Sequence, residues 1–267
     1  MSDLFIKNEI HELIHTTNIG KINAVLKGVS GNNFSLVTIS DSDVIFLNDW
    51  QKATYNVFDN FPKAGVVCPT PSSRSLRTHT ANIYWDLFFS KKLKFSDVEN
   101  FEALKKFGHS VGDINFYNAV QLKKYLTVNS KGKKAVVGAG HFVATYRAHV
   151  FDNLQKRFSD FKLGGDSESK FLDIPVIKNG FWRLSTANNY VYHMGNVIED
   201  WMPIIVSDLQ CVSNKSDFEF KRIESCSQLA YFIKSRLFAK LILNKKIIRY
   251  FLILKGLSRE EAKNYLT

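Results

Sequence analysis

Apolar positions along the first two hundred residues follow two alternating patterns. Short, nearly unbroken runs at Phe34 to Ile39, Ala64 to Cys68 and Ala135 to Gly138 read as strands, and the stretches around Trp50 to Phe58 and Val98 to Phe107 read as helices. That alternation predicts an α/β sheet with helices on both faces. Pro69 and Pro71 end the second run, and Ser72 to Thr80 reads as a surface loop. From about Phe218 the pattern changes. Leu229, Phe232, Ile233, Leu237, Leu241 and Leu243 recur near helical spacing, with Lys234, Arg236, Lys240, Lys245, Lys246 and Arg249 between them, which predicts a basic amphipathic helical tail. Gly256-Leu257-Ser258 reads as a helix stop followed by a new N-cap at Ser258, with Glu260 and Glu261 in the first turn. No internal repeat or low-complexity linker interrupts the chain, so the predicted division is residues 1–217 and a tail at 218–267.

Composition places the chain among globular proteins: 267 residues, 45% apolar and 13% aromatic, are ample for a buried core. Cys68, Cys211 and Cys226 are odd in number, far apart and without a C-x-x-C pair, so a disulfide framework and a zinc site are not expected, and a reducing, cytoplasmic setting fits best. Asp3, Lys7, Asn8 and Glu9 exclude a secretory signal from the first ten residues. No charge-free apolar run approaches the roughly 20 residues that a membrane span needs. The net charge of +11 is unevenly spread: residues 221–267 hold 11 Lys and Arg against Glu224, Glu260 and Glu261, a net +8. The tail is therefore expected to make peripheral contact with the inner face of a membrane, or else to pack its apolar stripe on the core. A pI of 9.4 also raises a nucleic-acid-binding reading, but the bulk of Leu, Ile and Phe in the tail suits lipid or a partner groove better than a DNA groove, and no nucleic-acid partner is expected.

The candidate chemistry begins where the run Ser35 to Ile39 leads into Asp41-Ser42-Asp43 before apolar residues resume at Val44. Carboxylates at i and i+2 of an extended segment share a side, and ligands of open α/β sheets bind beyond the carboxyl ends of strands. Two hard oxygen ligands suit Mg²⁺ or Mn²⁺, which leaves other coordination positions to substrate phosphates, so a diphosphate is the expected ligand. A bare D-x-D is more often a turn or a helix cap. Upstream, Asn18-Ile19-Gly20-Lys21 follows a short strand candidate at Leu13-Ile14, and its tight glycine turn would deliver Lys21 to the same edge to meet phosphate.

The motif N-x-G-K, an interval, and an apolar strand ending in Asp41-Ser42-Asp43-Val44-Ile45-Phe46 resemble the inverting GT-A glycosyltransferases of family 2. That resemblance implies a Rossmann-like mixed sheet and transfer of a sugar from a UDP- or GDP-type donor to a glycan or lipid-linked acceptor, as in polysaccharide biosynthesis. It extends to Gly138-Ala139-Gly140-His141 and the strand after it, where compact backbone at Gly140 and His141 lets donor and acceptor approach. Leu163-Gly164-Gly165-Asp166-Ser167-Glu168 occupies the place of the family's acidic motif, in which one carboxylate is the general base towards the acceptor hydroxyl. Asp166 is the favoured base, fixed by its paired glycines, with Glu168 the alternative; either would also suit a helix N-terminus. Val191 to Asn196 resembles the strand and closing histidine of several GT-A enzymes, implying that His193 completes a metal shell begun by Asp41 and Asp43. The donor-binding set is then Asn18, Gly20, Lys21, Asp41, Gly140 and His141.

The sequence departs from the family at two points. Glu12 to His15 corresponds to the family's third strand, so the two strands and helix that hold the nucleobase are not represented, and no residue supports UDP over GDP. The acidic motif reads Asp166-Ser167-Glu168 where the family has an adjacent Glu-Asp pair. A non-catalytic or truncated relic, or a partner subunit, is the alternative expectation.

Overall fold

The computed structural model describes residues 2–152, 154, 156–162, 164–210 and 225–266. Leu163, Cys211, Phe218, Glu224 and the expected division between 217 and 218 lie outside the described residues. Nine strands are found among the described residues: β1 (Leu36–Ser40), β2 (Val44–Phe46), β3 (Ala64–Cys68), β4 (Leu93–Asp97), β5 (Lys124–Ser130), β6 (Lys133–Val137), β7 (Val143–Arg147), β8 (Trp182–Thr186) and β9 (Val191–His193). Seven form one sheet in the order β1-β7-β3-β8-β6-β5-β4, while β2 and β9 make a separate antiparallel ladder. Only β3 and β8 run parallel, so the sheet is mixed; the alternating pattern predicts an α/β sheet without fixing strand direction. The outer edge of β1 has no strand beside it among the described residues.

Helices α1 (Ser2–Ile6), α2 (Lys21–Val29), α3 (Trp50–Asn60), α4 (Ala81–Asp86), α5 (Phe101–Ser110), α6 (Ile174–Lys178) and α7 (Trp201–Ser207) are followed by α8 (Gln228–Phe232), α9 (Phe238–Ile242), α10 (Lys245–Leu254) and α11 (Arg259–Asn264). One π turn, Ser169–Asp173, precedes α6 and another, Ile233–Leu237, joins α8 to α9. Local signals explain several ends. Asn100 caps α5 by accepting from the Ala103 amide at 3.0 Å. Ser258 and Glu261 form a reciprocal capping box at α11, and Gly256 before it takes φ +116°, as the expected stop and start require.

The sheet separates two apolar clusters, and successive residues of β3 divide between them: Val67 faces one, Val66 and Cys68 the other. The first is closed by Val57 and Phe58 of α3, Ile83 and Tyr84 of α4, and Ile242, Ile248, Phe251, Leu252 and Tyr265 from the C-terminal helices. The second is closed by Ile22 of α2 and by Val150, Phe171, Leu172 and Val176. Phe251 and Leu252, expected to face a lipid surface if the tail binds one, are instead buried in the shared core, each contributing about 1.5–3 kcal/mol. The tail is thus anchored on the sheet. Tyr265 donates to the Ser73 carbonyl at 2.8 Å, and Asp86 accepts from Lys63 at 2.8 Å, Lys234 at 2.7 Å and the Trp182 indole at 3.0 Å.

Three sequence expectations are corrected. Leu13-Ile14 is irregular backbone rather than a strand, with Ile14 exposed, because a two-residue run finds no neighbour to pair with. Ser72 to Thr80 contains a 3₁₀ turn, Ser75–Arg77, and buries Ser73, Leu76 and Thr80, so it is only partly a surface loop. The third apolar run makes β6, but Gly138 to Phe142 is a connection and the strand that follows begins at Val143.

Candidate functional site

Lys21 owes its place to packing at the start of α2. Gly20 has φ +84°, and a Cβ there would lie 2.4 Å from the Lys162 carbonyl oxygen, so only glycine allows this approach. Asn23 clamps the same junction by donating to the carbonyls of Ile19 (2.7 Å) and Ser159 (3.0 Å). The Lys21 ammonium then meets Asp41 at 2.7 Å and Glu168 at 2.8 Å. Burial pulls its pKa down, but the bonds from the two carboxylates prevail and hold it above the ordinary value.

Asp41 follows β1, and its amide donates to the Phe142 carbonyl at 2.7 Å, tying the strand end to the β6–β7 connection that carries His141. His141 bridges two carboxylates, with Nδ1 3.4 Å from Glu168 and Nε2 2.7 Å from Asp173. Asp173, 1% exposed, is held by the buried Arg183 at 2.8 Å. Arg183 also donates to the carbonyls of Thr78 (2.6 Å) and Ala139 (2.7 Å). Acidic and basic side chains thus alternate from Asp41 through Lys21, Glu168, His141 and Asp173 to Arg183. The π turn supplies the geometry, since its wider backbone lies between Glu168 and Asp173 and both reach His141. His79, at φ +54°, closes the inner end with Nε2 2.8 Å from Ser169 Oγ and 3.9 Å from Asp173. Burial lowers the His79 pKa, against the opposing pull of Asp173.

A second cluster lies along the β2–β9 ladder. Val44 pairs with His193 in register, which brings Asp43 Oδ2 within 3.3 Å of His193 Nε2. Ser110 Oγ meets His193 Nδ1 at 3.0 Å and so orients the ring. Phe142 packs edge-on to that ring at 5.4 Å, so neighbouring residues His141 and Phe142 send one side chain to each cluster. Residues 42 and 43 form a bend rather than an extended strand, so the same-side rule for i and i+2 does not apply: Asp41 engages Lys21 and Asp43 engages His193.

The structure therefore brings together Lys21, Asp41, His141 and Glu168, and separately Asp43 and His193. Asp166 is exposed, in the left-handed region at φ +55°, outside the ion chain. Asn18 is exposed as well, and a Cβ on Gly140 would make only ordinary contacts, the nearest at 3.8 Å. Asp173, Arg183, His79 and Ser110 are the site residues that sequence reasoning missed. Cys68 beneath the site is buried, which pushes its thiol up to about 11 and leaves it a packing group rather than a nucleophile.

Of the three expected metal ligands, Asp41 is turned to Lys21, and only Asp43 and His193 meet. Asp43 supplies an oxygen and His193 a nitrogen, and among the described residues no third His, Cys, Asp or Glu joins them as a metal-binding group, so a bound Mn²⁺ or Mg²⁺ would draw its other ligands from substrate and water. Compared with protein-family models, curated proteins and solved structures, the chain gives no match.

Proposed function

We propose that this chain is an inverting, metal-dependent glycosyltransferase of the GT-A type, taking a sugar from a nucleoside diphosphate donor to a glycan or lipid-linked acceptor. The observation that carries this reading is the convergence of Lys21, Asp41, His141 and Glu168, four residues spread over nearly 150 positions, at the end of one strand. Asp43 and His193 would hold the cation, which, when bound, supplies charge neutralisation for the departing diphosphate. Lys21 would pair with a donor phosphate. Glu168 would take the proton of the attacking acceptor hydroxyl, in preference to Asp166, because it reaches the cluster and Asp166 does not. Its carboxylate is tied to Lys21 in this arrangement, so a diphosphate that engages the ammonium would free it for the acceptor. Asp173 and Arg183 hold His141 in place from below.

Titration calorimetry of UDP and GDP with and without Mn²⁺ tests the reading. Binding should require the cation and disappear in Asp43→Ala; metal-dependent binding that persists in that variant overturns the assignment. A second reading, a non-catalytic relic or partner subunit, is favoured by the outer edge of β1, unpaired among the described residues, and the groove of about 720 Å³ near it, lined by Leu26, Val29, Phe34 and Phe151. Hydrolysis of a nucleotide-sugar donor by the purified chain excludes it.

A further inference from the structure

The C-terminal helices are apolar on two sides. Their inner side closes the core through Phe238, Ile242, Ile248, Phe251 and Leu252. Their outer side carries Leu229, Phe232, Leu237 and Leu241 along the run from α8 to α9, each more than half exposed, and Tyr250 and Leu254 on α10, 75% and 62% exposed. The end of α4 and the segment after it lie against the same helices. Trp85 meets Phe238 edge-on at 5.2 Å, and the Phe88 ring lies 6.3 Å from Phe238 and 5.6 Å from Phe251. The Lys255 ammonium fixes this segment to the end of α10 by donating to the carbonyls of Leu87 (3.2 Å), Phe88 (2.6 Å) and Ser90 (3.3 Å). So held, Phe89 projects its ring into solvent, 95% exposed. Large apolar side chains turned outward from neighbouring helices and from the segment pinned to α10 mark an interaction surface.

The charges around it define the partner. No Asp or Glu occurs between residues 225 and 258. Lys234 is engaged by Asp86 and Lys255 by the three carbonyls, which leaves Arg236, Lys240, Lys245 and Lys246 exposed beside the apolar groups, with Lys91 and Lys92 just after Phe89. Cations interspersed with Leu, Phe, Trp and Tyr suit the boundary between anionic headgroups and acyl chains. No helix among the described residues is long and apolar enough to cross a bilayer. We propose that this outer surface docks in the plane of an anionic lipid bilayer, with Phe89, Leu241 and Leu254 entering the acyl boundary and the lysines at phosphate level. The proposal is independent of sugar transfer, because none of these side chains belongs to the site.

Co-sedimentation of the full chain with phosphatidylcholine vesicles, with and without phosphatidylglycerol, tests it. Partitioning should be at least about tenfold stronger on the anionic vesicles at low salt and weaken as salt rises. The triple change Phe89→Ser, Leu241→Gln and Leu254→Gln should weaken it by about tenfold or more at unchanged thermal unfolding, as should Lys240→Gln with Lys245→Gln and Lys246→Gln. Absence of anionic-vesicle binding at low salt, or equal binding by these variants, overturns the proposal. So does a lipid-free dimer, seen by light scattering, that the apolar triple variant abolishes, since a second copy would then be what covers the surface.

Discussion

Lys21 and Arg183 each stand within 2.8 Å of a carboxylate, whereas Arg236, Lys240, Lys245 and Lys246 lie on helices with no acid between residues 225 and 258. The first set is fixed by geometry: each cation has a carboxylate whose removal would leave it under-compensated in a partly or fully buried place. The second is fixed only by which face of a helix it occupies, and its members can exchange one for another. A net charge of +11 adds the two kinds together and so conceals that only one is local chemistry. The other is a field spread over a surface.

Changes at the paired set should have the largest effects. Glu168→Gln is expected to slow transfer by about 10²–10⁴-fold with little change in nucleotide affinity, while Asp166→Asn stays close to wild type. Single-turnover assays check this, and the reverse ranking would return the base to Asp166. Asp173→Ala strands the buried Arg183 and should cost about 3–5 kcal/mol in denaturant unfolding. A loss under about 1 kcal/mol would mean that the ion chain is not what holds the π turn.

An intermediate case sharpens the contrast, because Asp86 pairs a cation of the C-terminal helices. Burial works to raise its pKa, but bonds from Lys234, Lys63 and Trp182 outweigh that and set it below the usual value of 3.8. Its contribution is therefore complete above that value and is lost as pH falls through the lower folded-state pKa. Asp86→Asn should cost about 2 kcal/mol at neutral pH and flatten that acid limb in thermal melts. Lys21 has the opposite sign. Its raised pKa makes its contribution complete below 10.5 and lost as pH rises beyond it, by a small amount because a quarter of the side chain is exposed. Smallest of all, Arg236→Gln with Lys240→Gln should alter folding stability by no more than about 0.5 kcal/mol, since neither side chain is buried.

Much of the site was legible because it is written in short motifs. Gly20-Lys21 and Asp41-Ser42-Asp43 could be singled out from local sequence, His141, Glu168 and His193 by the family resemblance, and an α/β sheet followed from alternation. The choice between Asp166 and Glu168 could not be read, because it depends on where a π turn places the side chain relative to Lys21. Asp173 and Arg183 did leave a signal: each is a lone charge in an apolar run, Phe171-Leu172-Asp173-Ile174 and Trp182-Arg183-Leu184, where a buried charge needs a partner. His79 and Ser110 left none, because their contacts join positions 90 and 83 residues apart. Periodicity likewise showed an amphipathic tail but not that Phe251 packs inward while Tyr250, its neighbour, faces out.

The anchoring of Tyr265 beneath Ser73 and Gln121 bears on how this chain is made. Translation proceeds at roughly 5–20 residues per second, so Val128 of β5 leaves the ribosome on the order of ten seconds before Phe251, which covers the same cluster. During that interval α3 and α4 can cover this face only in part, and the area that the C-terminal helices will fill stays open. A ribosome stalled soon after α11 would still hold α10 and α11 in its exit tunnel, so that part of the sheet closes only once both helices have cleared it.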